Sequence, residues 1–123
     1  MKKLLLEINK KTLTLLLNNS ATASIIYEAV PITSLVNTWG EEIYFDTKLT
    51  IKKEVDAKAV VDFGDIAFWT EGSSIAIGYG KTPISKNNEI RLAAPCNIWA
   101  RAEFKKSFFD DINDGDRIHL YKN

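Results

Sequence analysis

Apolar residues stand at every second position over residues 4–8 and again over residues 13–17, and a polar segment at 9–12 separates the two runs. A spacing of two is typical of half-buried strands, so these runs predict an N-terminal β-hairpin. Near the other end of the chain, Asp114-Gly115 is a turn signal, and Ile118 and Leu120 share one face of a predicted last strand over residues 117–121.

The segment between the hairpin and Pro31 has the features of a short helix. Ser20 is a good residue for a helix start, and Pro31 cannot continue a helix. The pattern predicts a helix over residues 20–29 that packs Ile25 and Ile26 against the rest of the protein. A second short helix is predicted over residues 105–111.

The middle of the chain predicts further short strands, separated by turns. Strand patterns occur at 43–45, where 49 and 51 continue the spacing, and at 66–69 and 75–79, followed by an edge strand at 90–92 and a strand at 96–102 after Pro95. About eight strands and one or two short helices predict a mainly β protein whose sheet closes into a barrel, because closure removes exposed edges. No repeat or linker divides the chain, so residues 1–123 predict a single domain.

Charge and hydropathy exclude several classes of partner. The 16 Lys and Arg residues balance the 16 Asp and Glu residues, and no basic cluster interleaves with aromatic residues, so we expect no nucleic-acid partner. No run of about 18 apolar residues predicts a membrane span. Glu7 and Asn9 interrupt the leucines at the N-terminus, which argues against an export signal. We therefore expect a cytoplasmic protein without a membrane partner.

The chain contains one cysteine, Cys96, and one histidine, His119. These counts exclude an internal disulfide and the usual zinc sites, but not a magnesium or calcium site made of carboxylates alone. We expect neither a metal ion nor another cofactor. Cys96 is interpreted as a small buried apolar residue, because no base stands beside it. His119 is interpreted as a surface residue that shares the outer face of its strand with Arg117 and Tyr121.

The three tryptophans, Trp39, Trp69 and Trp99, each stand beside a polar or small residue. Two explanations remain open at this stage. The rings could fill and seal the interior of the barrel, or some of them could wall a shallow groove with polar contacts from nearby side chains. An open groove would favour binding, and a groove filled by Trp69 and Tyr79 would favour a scaffold.

Four segments, at residues 39–45, 64–69, 72–85 and 95–101, resemble a small prokaryotic family of cyclophilin-like proteins of unknown function. With the N-terminal hairpin and helix, the resemblance extends over nearly the whole chain. It implies a closed eight-stranded cyclophilin-like barrel, which agrees with the strand count.

The resemblance also implies that the catalytic set of true cyclophilins is missing. Those proteins are prolyl isomerases whose groove uses an arginine, a glutamine, a phenylalanine and a histidine. The motifs match these four residues to Asp46, Ser74, Ala76 and Cys96 respectively. Without the guanidinium and the ring that packs on proline, little would stabilise the twisted peptide bond.

The leading hypothesis is a barrel that binds a small molecule or a peptide and lacks the prolyl isomerase residues. A weak prolyl isomerase or another enzyme is the first alternative, and a structural or oligomerisation module is the second. Enzymatic activity and the oligomeric state stay open. The candidate groove consists of Trp39, Glu41, Tyr44, Asp46, Trp69, Ser74, Ala76, Tyr79, Arg91, Asn97 and Arg101.

Overall fold

The computed structural model of the protein describes residues 2–123, and this part of the chain is mainly β. Its single α-helix has nine residues, and two 3-10 turns lie at Thr70–Gly72 and Lys106–Phe109. The elements are β1 (Lys3–Ile8), β2 (Lys11–Leu17), α1 (Ala21–Ala29), β3 (Ile32–Leu35), β4 (Asn37–Thr38), β5 (Glu42–Asp46), β6 (Lys58–Val61), β7 (Asp65–Trp69), β8 (Ser74–Gly78), β9 (Ile90–Arg101) and β10 (Arg117–Tyr121).

Nine strands form one sheet in the order β3-β10-β1-β2-β9-β7-β8-β5-β4, and β6 pairs with β9 beside it. The two end strands, β3 and β4, are separated in sequence by Val36 alone. The Val36 N–H donates to the Asp116 carbonyl at 2.9 Å, and the Val36 carbonyl accepts from the Gly115 N–H at 2.8 Å. Because β3 and β4 are two halves of one bent strand, the sheet forms a nearly closed barrel of eight strands, as predicted.

The barrel interior is filled by the alternating apolar positions that predicted the strands. β1 and β2 pair antiparallel with Leu6 opposite Leu13, and the inward side chains of both strands are buried. Trp99, Phe45 and Phe68 are among the largest side chains that are fully buried. The predicted N-terminal hairpin is therefore confirmed, and Trp99 fills the core.

The helix α1 begins where Ser20 accepts a hydrogen bond through Oγ from the Ala23 N–H at 3.1 Å. Its buried side chains are those of Thr22, Ala23 and Ile26. Ile25, however, is 42% exposed, so the prediction that it packs against the barrel is wrong. The buried face of the helix contains Ile26 and the residues three and four positions before it. Because successive residues lie roughly 100° apart around the helix axis, the neighbouring Ile25 lies off this face.

β9 corrects a second prediction, because it continues for 12 residues through Pro95. The sequence predicted an edge strand at 90–92 and a separate strand after the proline. The pairing of β9 with β6 passes from Arg91 directly to Cys96, because the intervening residues of β9 form a bulge. Pro95 lies in this bulge, where no ladder hydrogen bond is needed. The predicted helix over 105–111 is a 3-10 turn, and residues 49 and 51 lie outside the strands.

A second, smaller core lies on the outer face of the barrel. The outward side chains of β5, β7 and β8 are covered there by β6 and by the first half of β9. A Cβ atom on Gly78 would lie 2.5 Å from Cγ2 of Ile90, so the glycine permits the close approach of β9. In residues 2–123, no helix has the length and apolar character needed to cross a membrane.

Candidate functional site

A pocket of about 260 Å³ opens on the outer face of the barrel, beside this second core. β5, β7 and β8 form its floor and one side, and the first half of β9 covers the opposite side. We call it the outer pocket. Its lining residues are Trp39, Glu42, Tyr44, Trp69, Ala76, Leu92, Ala93 and Cys96.

The outer pocket is hollow because small side chains occupy the middle of its floor. Ala76 on β8 lies opposite Ala67 on β7 and opposite Tyr44 on β5. The rings of Tyr44 and Trp69 stand edge to face, with their centroids 6.2 Å apart and their planes at 90°. Methyl groups flanked by upright rings leave a concave surface between the strands.

Two glycines fix the tryptophans at the rim. A Cβ atom on Gly72 would lie 2.3 Å from the ring of Trp69, so the 3-10 turn packs its backbone directly against the indole. On the other side, the Trp39 N–H donates to the Glu42 carbonyl at 2.9 Å and closes a turn that contains Gly40. Gly40 has a φ of +60°, and a Cβ atom there would lie 2.8 Å from the Lys81 carbonyl oxygen.

Glu42 places a carboxyl group in this apolar site. The residue is only 6% exposed, and its Oε1 atom is buried without a hydrogen-bond partner among the described residues. Burial raises the pKa of Glu42 to about 7. Most buried polar groups are hydrogen-bonded, because an unpaired one loses its hydration without compensation. The buried, unpaired carboxyl therefore makes the outer pocket the candidate functional site.

Cys96 also lines the outer pocket and is fully buried, and its Sγ donates to the Ala94 carbonyl at 3.2 Å. Burial raises the pKa of Cys96 to about 12, and the carboxylate of Glu42 adds to the effect. The thiol is thus neutral at physiological pH and is not an activated nucleophile. The interpretation of Cys96 as a small buried apolar residue is consistent with this position.

The structure brings four residues of the sequence-derived groove into the outer pocket, namely Trp39, Tyr44, Trp69 and Ala76. Asp46 and Ser74 lie next to each other at the end of the same strand pair. The Asp46 carboxylate accepts from the Lys48 N–H at 3.0 Å, and the Ser74 hydroxyl donates to the Gly72 carbonyl at 2.8 Å. Both side chains therefore stabilise local turns.

The other five groove residues each contact a structural partner outside the outer pocket. Glu41 pairs with Lys106, Tyr79 stacks on Phe109, Arg91 pairs with Glu89, Asn97 bonds to the backbone of Glu54 and Lys52, and Arg101 pairs with Asp65.

The candidate groove derived from the sequence omitted Glu42, Leu92, Ala93 and Cys96, although the resemblance matched Cys96 to the histidine of the cyclophilin groove. One signal could have found Glu42: Ile43 and Phe45 are buried in the barrel, so Glu42 and Tyr44 must share the outer face of β5. Leu92 and Ala93 had no such signal, because they reach the outer pocket only through the fold of β9 across the barrel.

Metal binding has no support in the region that the structure describes. Residues 2–123 contain no group of three or more His, Cys, Asp or Glu side chains placed to hold a metal ion. The outer pocket contains a single carboxyl group and one neutral thiol.

Comparison with known proteins identifies a family and a similar solved structure. The family model described as Cyclophilin-like matches residues 2–121. The solution structure of a hypothetical protein from Archaeoglobus fulgidus aligns with a TM-score of 0.83 and 31% sequence identity, over 99% of this chain and 95% of that chain. No curated protein matches. The alignment spans the barrel and the outer pocket alike.

Proposed function

The chain belongs to the cyclophilin-like family, and on that premise we propose that it is a binding protein whose outer pocket takes up a small molecule. One observation carries the proposal: an apolar pocket walled by partly exposed aromatic rings contains a buried carboxyl group without a partner. Sites for small molecules are typically concave and mostly apolar, with a few placed polar groups that orient the ligand.

The size of the outer pocket favours a small molecule over an extended peptide. Its volume of about 260 Å³ lies just below the range of roughly 300 to 1,000 Å³ that is usual for ligand pockets. The first half of β9 covers one side, which supports enclosure of a compact ligand.

We further propose that the protein has little or no prolyl isomerase activity. Ala76, which the resemblance matches to the proline-packing phenylalanine, contributes only a methyl group to the outer pocket. Asp46, which it matches to the arginine, is exposed and caps the Lys48 N–H. Arg91 and Arg101 do not supply the missing guanidinium, because each is paired with a carboxylate outside the outer pocket.

Filling the outer pocket tests the binding function. A fragment library of compounds with about ten non-hydrogen atoms would be screened by ligand-observed NMR against the unaltered protein and Ala76→Leu. Ala76 is buried in the pocket floor, so a leucine there occupies the ligand volume. The control is Ala21→Leu, the same change at an exposed helix position. We expect fragments that bind the unaltered protein and the control but not Ala76→Leu.

Ala93→Leu is a second test variant, because it narrows the outer pocket from the exposed rim and spares the buried floor. It keeps the experiment informative if Ala76→Leu does not fold. Fragments that bind all four proteins equally, or no fragment that binds any of them, would contradict the proposed function.

A further inference from the structure

We propose that the ligand of the outer pocket is a small organic ammonium ion that carries at least one N–H, with Glu42 as its counter-ion. The inference rests on the proposed function, because it names the ligand class of the same pocket. Three independent properties of the lining residues lead to it: the sign of their charge, their aromatic walls and their unused acceptor.

The first property is charge. Glu42 is the one ionisable carboxyl among the lining residues, and none of them is a lysine or an arginine. Nearby cations are engaged elsewhere, since Lys53 pairs with Glu71 and Arg91 pairs with Glu89. An anionic ligand would meet an uncompensated negative charge. A cationic ligand would pair with the ionised carboxylate, which relieves the cost of an uncompensated buried charge.

The second property is the aromatic wall. Trp39, Tyr44 and Trp69 line the outer pocket together, and the Tyr44 and Trp69 rings meet at a right angle. The face of an aromatic ring attracts a cation through its quadrupole, most strongly for tryptophan, and the attraction grows when the cation is desolvated. Rings in different orientations can surround a compact cation together with its alkyl groups. An apolar site without aromatic rings would not attract the positive charge.

The third property is the unused acceptor. Oε1 of Glu42 is buried and has no donor within the described part of the chain. A primary, secondary or tertiary ammonium ion can donate a hydrogen bond to it, and a charge-assisted bond of this kind is stronger than a neutral one. A quaternary ammonium ion has no N–H and would leave the acceptor unpaired. The site therefore distinguishes between these two kinds of cation.

The pH dependence follows from the groups that face Glu42. Tyr44 on its own strand and Cys96 on β9 are the other titratable groups that line the pocket, and the raised pKa of Cys96 keeps its thiol neutral. The Lys53–Glu71 pair, which also acts on Cys96, has no net charge. The pKa of Glu42 in the ligand-free protein is about 7, so its carboxyl group loses its proton between pH 6 and pH 8. The affinity for an ammonium ion therefore increases over this range. An alkylammonium ion stays protonated there, as lysine does with its pKa near 10.4.

The experiment compares four probes at pH 8: n-butylammonium, the uncharged 1-butanol of similar size, the quaternary tetramethylammonium, and anionic butyrate. Dissociation constants would come from ¹H–¹⁵N NMR titration, read at the indole N–H signals of Trp39 and Trp69. Trp99, which is buried in the barrel core, is the internal reference. We expect n-butylammonium to bind at least about tenfold more tightly than each of the others.

Glu42→Gln is the test variant, because it keeps the shape of the side chain and removes the charge. We expect it to reduce the preference for n-butylammonium over 1-butanol to less than about threefold and to abolish the change between pH 6 and pH 8. The matched control is Glu28→Gln, the same change at an exposed helix position, which should behave as the unaltered protein does. An unchanged amide spectrum away from the pocket establishes that Glu42→Gln is folded.

Failure of this inference can be told apart from failure of the proposed function. If 1-butanol or butyrate bound as tightly as n-butylammonium, the ammonium class would be wrong, although the outer pocket would still bind small molecules. Equal binding of tetramethylammonium would overturn the hydrogen bond to Glu42. If no probe and no fragment bound, both the inference and the proposed function would be overturned.

Discussion

Glu41 and Glu42 are adjacent in the sequence, yet their carboxyl groups have opposite environments. The Lys106 ammonium lies 2.9 Å from the Glu41 carboxylate and, with the Lys81 N–H, lowers the pKa of Glu41. Burial raises the pKa of Glu42 instead. Strand alternation alone places Glu42 on the outer face of β5. Local pattern could therefore have placed Glu42 beside Tyr44 on that face, but nothing in the sequence shows that β9 buries the face, so the burial of Glu42 was not predictable.

The raised pKa of Glu42 predicts that stability falls with rising pH. In the folded protein the Glu42 carboxyl keeps its proton up to about pH 7, whereas in the unfolded chain the same group loses its proton near pH 4.5. Between these values the folded state binds more protons, so the free energy of unfolding decreases as pH rises. The shift corresponds to a loss on the order of 3 kcal/mol between pH 4.5 and pH 7.

Urea denaturation at pH 5 and pH 8 would measure this effect in the unaltered protein, Glu42→Gln and Glu28→Gln. We expect Glu42→Gln to lose less stability than the unaltered protein over this range and to be the more stable of the two at pH 8. Titratable groups that all three proteins share contribute equally to the pH dependence of the free energy of unfolding, so their effects cancel in the comparison. The same loss of stability in Glu42→Gln as in Glu28→Gln would show that Glu42 is not buried as described.

At the level of elements, the strands with strict alternation are the ones that the sequence predicts well. β1, β2 and β10 bury every second residue on one face, and hydrophobic burial on that face sets their register. β9 breaks this rule, because its first half leaves the barrel to cover the outer face and Pro95 lies in the bend. Its course depends on contacts between residues distant in sequence, among them its pairing with β6 and the approach of Ile90 to Gly78.

The close approach of Ile90 to Gly78 predicts the effect of Gly78→Ala. The added methyl group would lie 2.5 Å from Cγ2 of Ile90, so the Ile90 side chain, or the first half of β9 that carries it, must shift away from β8. We expect a loss of about 1 to 3 kcal/mol in the free energy of unfolding, as for other overpacked sites. Backbone NMR shifts should change along residues 90–96 and little in the β1-β2 hairpin.

A double-mutant cycle with Ile90→Ala separates this clash from a general cost of the alanine. Ile90→Ala removes the atom that Gly78→Ala would meet, so the two changes together should destabilise the protein by less than the sum of their separate effects. Strict additivity within about 0.5 kcal/mol would contradict the proposed contact.

On the scale of the whole molecule, barrel closure was predictable and the function was not. The count of short strands favoured closure, because closure removes exposed edges, and the chain achieves it by bending at Val36 between β3 and β4. A fold of this kind hosts different functions according to the side chains of its site. Family membership therefore does not carry the isomerase activity of true cyclophilins to this chain.

We expect the protein to leave the rate of prolyl bond isomerisation near its uncatalysed value. The uncatalysed barrier is about 18 to 20 kcal/mol, and loss of the principal electrostatic donor in such a site forfeits on the order of 3 kcal/mol, or about a hundredfold in rate. Here the matched positions are Asp46 and Ala76, and the Asp46 side chain caps a neighbouring backbone N–H.

The measurement is the rate of isomerisation of a short proline peptide at micromolar protein, for the unaltered protein and for Asp46→Arg. We expect this variant to stay near background too, because Ala76 still lacks a ring to pack on proline. A thousandfold acceleration by the unaltered protein would refute the motif matching and favour the enzyme hypothesis, whereas activity gained only by Asp46→Arg would show that the missing guanidinium alone accounts for the inactivity.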